Sequence, residues 1–236
     1  MLVAVNCRIP QECADSLLSL GFELVLMPPC SLLPAPVASH PDMLFFILGE
    51  YMLTYRDYYT VARREIDIIA KSGRLRLVLS DESPGSIYPN DILFNAAPIG
   101  DLIFARADSI SHHIPEICDL YGAKIINTRQ GYARCSTVIV DGRSIITSDA
   151  GIAKAASVEG LDVLKVTPGH IALQGYDMGF IGGASGVCGD KVYFCGNILS
   201  HPDAAAITAF CKARGREVVS LGSRELTDVG TMFFVS

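Results

Sequence analysis

Long apolar runs are missing from this chain of 236 residues. None approaches the about 18 residues that a membrane span needs, so no transmembrane helix is expected. Basic clusters are missing too: 19 Lys and Arg stand against 25 Asp and Glu, for a net charge of −6. That balance argues against an electrostatic grip on DNA or RNA and against an anionic membrane surface. No Ser-, Pro- or Gly-rich linker and no charge block divides the chain, so one domain over 1–236 is expected. CxxC pairs are absent, although there are eight cysteines at 7, 13, 30, 118, 135, 188, 195 and 211. Scattered through apolar patterns, they read as reduced thiols of a cytoplasmic protein. The start, MLVAVNCRIP, lacks a basic leader and a cleavage site and reads as a strand.

No cofactor or metal motif is evident. Cys188 and Cys195 flank a Gly-Asp turn without a second ligand pair. GGASG, 182–186, lacks the Lys and helix of a phosphate loop, and its glycines read as close-packing devices. His112 and His113 are expected on an exposed helix face, and His201, before Pro202, in a structural role.

What the chain has in abundance is apolar sequence, 50% of its residues, arranged in a repeat. Five times a helical pattern ends at a glycine and a buried-strand pattern follows: GFELVLM from Gly21, GRLRLVL from Gly73, GAKIIN from Gly122, GLDVLKV from Gly160 and GREVVSL from Gly215. A glycine there accepts the left-handed backbone that caps a helix. The preceding helices are expected over 10–20, 57–72, 109–121, 149–158 and 201–214, with Asp149 as an N-cap. Ahead of each helix stand two apolar strands around a glycine turn, as in DMLFFILGEYMLT from Asp42 and CSTVIVDGRSIIT from Cys135. Longer versions start at Asp91 and Asp177. DVGTMFFV from Asp228 is a lone first strand whose partner would be Leu2–Val5 at the other end of the chain.

The unit is β-β-α-β, repeated five times at intervals of roughly 40–55 residues. With both chain ends in one unit, it predicts a closed five-bladed α/β propeller, first strands near the axis and helices outside. A doubly wound sheet also alternates strands and helices, but does not explain two strands before every helix.

The repeat sets Asp42, Asp91, Cys135, Asp177 and Asp228 at the starts of the first strands, a ring suited to a cationic ligand. The plainer reading of each aspartate is a turn cap. Asn95, polar within an apolar strand, needs a partner and is a pocket candidate, with Ser136 and Ser185 nearby.

This architecture is similar to the pentein, or guanidino-group-modifying enzyme, fold, with local likeness in PGHI at 168–171, QGY at 130–132 and IGG at 181–183. It looks most like a bacterial branch of that fold without the usual C-terminal cysteine. The resemblance implies a Cys nucleophile near the C-terminus, a Gly-His motif and an acidic motif, working through a covalent thiouronium. His170 matches the histidine, but Ala172 stands where its acidic neighbour would be, Gln130 replaces the carboxylate, and LTDVGTMFFVS has no cysteine. Ordinary deiminase chemistry is therefore not expected. Cys135, with Arg134 beside it to lower its pKa, is the replacement nucleophile and His170 its acid/base partner; a small residue filling the axis is the alternative for Cys135. Two functions follow: a binder of a small cationic metabolite, with or without Cys/His hydrolysis or transfer at a guanidino, amidino or amide carbon, or a non-catalytic scaffold for a protein or ribonucleoprotein.

Overall fold

The computed structural model describes residues 1–236 as a mixed α/β fold. The chain opens with β1 (Leu2–Asn6), α1 (Gln11–Ser19) and β2 (Glu23–Met27). A short α2 (Pro41–Leu44) leads into β3 (Phe45–Leu48), β4 (Tyr51–Tyr55), α3 (Arg56–Val61), α4 (Arg63–Ser72) and β5 (Arg76–Ser80). Next come β6 (Ala97–Ile99), β7 (Leu102–Ala105), α5 (His113–Tyr121) and β8 (Lys124–Asn127). They are followed by β9 (Thr137–Asp141), β10 (Ser144–Thr147), α6 (Ala150–Val158) and β11 (Asp162–Lys165). After β12 (Ile171–Ala172) stand β13 (Ser185–Cys188), β14 (Lys191–Phe194), α7 (Ala204–Lys212) and β15 (Glu217–Ser220). β16 (Leu226–Thr227) and β17 (Phe233–Val235) complete the order.

Five three-stranded sheets result: β3-β4-β5, β6-β7-β8, β9-β10-β11, β13-β14-β15 and β17-β1-β2. In each, the middle strand runs antiparallel to the first and parallel to the third. The fifth joins the two chain ends, with Leu2 opposite Val235, as the repeat predicts. β12 and β16 form a separate parallel ribbon.

The strand sequences explain the layering. Middle strands such as LVAVN, LIFA and SIIT are buried along their whole length, so every position is apolar or hydrogen-bonded. Third strands begin on exposed charges, Lys124, Asp162 and Glu217, and form the wet edge. First strands meet one another: β13 packs on β9 and β17, β6 packs on β9, and Phe45 of β3 sits edge-on to Phe233 of β17 at 4.8 Å. No helix is long and apolar enough to cross a membrane.

Several expectations of detail change. The first strands predicted from Asp42, Asp91, Cys135 and Asp228 begin later, at Phe45, Ala97, Thr137 and Phe233, and Asp42 lies in the short α2 because Pro41 suits a first helical turn. Gly21, Gly122, Gly160 and Gly215 take positive φ beyond their helices, but Gly73 has φ −82 and Arg74, at φ 51, makes the turn instead. The helix predicted over 57–72 breaks at Ala62, which is buried with φ −108. The helix predicted from 109 starts at His113, because Pro115 suits only a first turn. The first strand predicted from Asp177 starts at Ser185, after an irregular excursion that leaves Asp177 exposed. Asp149 does cap α6, accepting from the Ile152 N–H at 2.7 Å.

Candidate functional site

The segments entering β3, β6, β9 and β17 converge, and their polar side chains bury one another. The Cys135 thiol donates to Asp42 Oδ2 at 3.1 Å. Thr231 donates to the same oxygen at 2.8 Å. Asn95 finds the partners its burial demands: its Oδ1 accepts from the Arg134 and Cys135 N–H groups at 2.8 and 3.3 Å, and its Nδ2 lies 3.0 Å from Cys135 Sγ. Asp228 accepts from the Phe180 N–H at 2.8 Å and the Gly230 N–H at 2.9 Å. Two glycines of GGASG permit this closeness. A methyl on Gly183 would land on the Asp228 carboxylate, and one on Gly182 would meet the Cys135 carbonyl.

Beside this cluster lies a cavity of about 140 Å³. Its polar end is His40, Cys135 and Asp228; its walls are Val37, Tyr132, Leu173, Tyr176, Met178 and Phe180. A second space of about 100 Å³, with Asn6, Arg8 and Gln174 in its lining, shares His40, Leu173 and Asp228 with the first. His40 and Asp228 therefore stand between a mostly apolar chamber and a polar one.

The electrostatics follow from burial without a paired cation. Asp228 is pushed up to about 7, first by burial and then by the charge of Asp42, while the N–H groups of Phe180 and Gly230 pull it back. Burial also raises Asp42, against the hydrogen bonds from Cys135 and Thr231. His40 is pushed down to about 3, mainly by burial and secondarily by Arg8. Its Nδ1 is 3.7 Å from Asp228 Oδ1, a distance an ion pair could have. A neutral pair fits better, since burial drives both groups to their uncharged forms and neither ring nitrogen of His40 has a hydrogen-bond partner. Burial and the two carboxylates hold the Cys135 thiol well above its usual range. The adjacent Arg134 was expected to lower it. Its guanidinium instead donates to the Thr137 carbonyl at 2.9 Å and lies 5.4 Å from the Phe233 ring, and desolvation outweighs it.

Of the predicted ring, Asp42, Cys135 and Asp228 come together with Asn95. Asp91 is buried one step away, accepting from the Tyr132 hydroxyl at 2.6 Å and so orienting a cavity wall. Ser136 is buried with its hydroxyl unpartnered, and Ser185 donates internally to the Gly182 carbonyl at 2.9 Å. Asp177 does not join them, because the excursion before β13 carries it to the surface. His170 is not in the cavity lining either. It is exposed, at φ 61, with its ring 5.9 Å from that of His201. The histidine that shares the cavity with Cys135 is His40, to which no role fell from sequence; its only signal was its place two residues before Asp42.

The model of a family described as "Family of unknown function (DUF6873)" matches residues 4–233. The chain belongs to this family. No curated protein matches the chain. Solved structures share its fold at low identity. A dimethylarginine dimethylaminohydrolase (DDAH) from Pseudomonas aeruginosa, complexed with citrulline, is similar at 9% identity and TM-score 0.57, over 94% of this chain and 91% of that one. SxtG, an amidinotransferase from Microseira wollei in the saxitoxin biosynthetic pathway, is similar at 11% identity and TM-score 0.57, over 94% and 88%. The C. jejuni agmatine deiminase is similar at 8% identity and TM-score 0.54, over 94% and 87%. The family member described here therefore has the pentein fold of the guanidino-group-modifying enzymes.

Proposed function

We propose that this chain is a single-domain, five-bladed α/β propeller that binds a small cationic metabolite, of guanidino or amidino type, in the cavity beside Asp228. The identical wiring of the five sheets, the pairing of β1 with β17 and the mutual contacts of the first strands support closure into a ring. The observation that carries the ligand reading is the polar end of the cavity: a buried carboxylate beside a histidine whose two ring nitrogens have no protein partner. Tyr132, Tyr176 and Phe180 also line the space, and aromatic rings can hold a cation. The structurally similar DDAH, amidinotransferase and agmatine deiminase support this ligand class by analogy. At about 140 Å³ the space suits a head group; whole-ligand pockets run to about 300–1,000 Å³. Eight unpaired cysteines support a reducing, cytoplasmic setting.

A catalytic reading has one specific support: Cys135 lines this cavity with His40, which would replace His170 as acid/base partner. Burial and the two carboxylates disfavour its thiolate, which supports binding ahead of Cys135-dependent hydrolysis or transfer.

A thermal-shift series with arginine, agmatine, methylated arginines and guanidinium tests the proposal. A stabilising shift is expected, and it should grow as pH rises through about 7, where Asp228 ionises. No shift with any of these cations at any pH would overturn it in favour of the scaffold function.

A further inference from the structure

Away from that cavity, β5 ends at Ser80 and is followed at once by Asp81 and Glu82, while α5 begins at His113 with His112 as its cap residue. These two chain segments bring Asp81, His112 and His113 together, with one ligand atom of each within 4.8 Å of the others. We propose that they form a binding site for one divalent transition-metal ion of the zinc type, with at least one coordination position left to solvent.

The distances separate this from a plain ion-pair cluster. Asp81 Oδ1 lies 3.6 Å from His113 Nε2 and 3.9 Å from His112 Nε2. Both are too long for a hydrogen bond. They are near the ligand–ligand edge of a tetrahedral shell, about 3.4 Å for metal bonds of about 2.0–2.1 Å. The opposite nitrogen of each imidazole already faces a carboxylate. His112 Nδ1 is 3.3 Å from Glu82 Oε2, and His113 Nδ1 is 3.0 Å from Glu116 Oε2. A ligating histidine is characteristically held this way, Nδ1–H on a carboxylate and Nε2 toward the metal. Glu82 is itself fixed, taking hydrogen bonds from the hydroxyls of Ser80 and Ser111. A further observation points to a ligand: His113 Nε2 is buried and has no hydrogen-bond partner. Two imidazoles with one carboxylate favour zinc, cobalt, nickel or copper over magnesium or calcium, which prefer oxygen.

The ion would tie the loop after β5 to the start of α5. That loop runs on to Tyr88, which packs on Tyr132 at 5.6 Å between ring centres, so the clamp sits at the base of a segment that reaches a cavity wall.

Titration of the full chain with Zn²⁺ and with Co²⁺ tests the site, read by calorimetry and by the visible absorption of cobalt. One equivalent is expected, with the weak bands of nitrogen and oxygen ligands. The double variant H112A/H113A should abolish this binding, and E82Q, which alters the partner of His112 Nδ1 without removing a ligand, should weaken it about 10-fold or more. Asp81 and His112 are exposed and His113 and Glu82 only half-buried, so both variants should keep the wild-type circular dichroism spectrum. The proposal is overturned if neither ion binds, if H112A/H113A binds as wild type does, or if the cobalt spectrum shows a thiolate charge-transfer band, which would place the ion on a cysteine.

Discussion

Replacing Asp228 by Asn should change the sign of its effect on stability between acid and alkaline pH. A carboxyl that holds its proton more tightly when folded takes up a proton on folding. Its contribution is therefore fully present below the unfolded pKa of 3.8 and drains away as pH climbs toward the folded value of about 7. At about 1.4 kcal/mol per unit, the rise of about 3 units costs the wild type about 4 kcal/mol by pH 8. Asp228→Asn removes that cost but introduces another. The two oxygens of Asp228 accept from two backbone N–H groups, Phe180 and Gly230, and an amide offers only one oxygen, a loss of about 1–3 kcal/mol. The variant should thus be less stable than wild type near pH 4 and more stable by about 1–3 kcal/mol near pH 8, with the two profiles crossing between. Asp42, also raised by burial, leaves some slope in the variant. Urea unfolding across this pH range measures both profiles. The neutral-pair account of His40 and Asp228 fails if the variant loses about 3–5 kcal/mol at the alkaline end, the signature of a broken buried ion pair. It fails equally if the two profiles run parallel.

Gly183→Ala should destabilise by about 3 kcal/mol or more, because the added methyl meets the Asp228 carboxylate while the Gly183 backbone is fixed by bonds to Cys135, Val229 and Thr231. A loss under about 1 kcal/mol in chemical denaturation would mean that the cluster is looser than described. Cys135 should react with iodoacetamide far more slowly than the exposed Cys7 at neutral pH, being buried with its pKa raised. Peptide mapping of the labelled sites checks this, and comparable rates would show a thiolate at Cys135.

The architecture was legible because its signals are local. A glycine beyond a helix, a turn between two apolar runs and a stripe of isoleucines each report on a few neighbouring residues, and five copies corrected one another. Where one copy deviates, the repeat still carries it: Arg74 makes the left-handed turn that Gly73 was assigned, and β5 forms regardless. Asp177 departs from the repeat. Its segment matches the repeat in composition, yet Gly179–Ala184 form an excursion against Asp228 before β13 begins, which leaves Asp177 at the surface.

The site was legible only in part, because its chemistry depends on which segments meet and on what burial does to them. The repeat gave Asp42, Cys135 and Asp228, and a polar side chain in an apolar run gave Asn95; the segments just ahead of the first strands bring all four together. Register says nothing of a histidine held by an irregular loop: the glycine-flanked motif points to His170, while the histidine in the cavity is His40, whose Cβ packs against the positive-φ Gly230. The same gap explains Arg134. Adjacency in sequence suggests a cation lowering the thiol pKa, but both residues lie in the turn before β9, which sends their side chains to different neighbours. Arg134 turns toward Phe233, Cys135 toward Asp42, and the field at the sulfur is set by the carboxylates that the fold brings to it. Asp81 and the two histidines follow the same logic in reverse. Thirty or so positions separate the segments, no spacing rule links them, and only the fold, which sets the end of β5 near the start of α5, makes them neighbours.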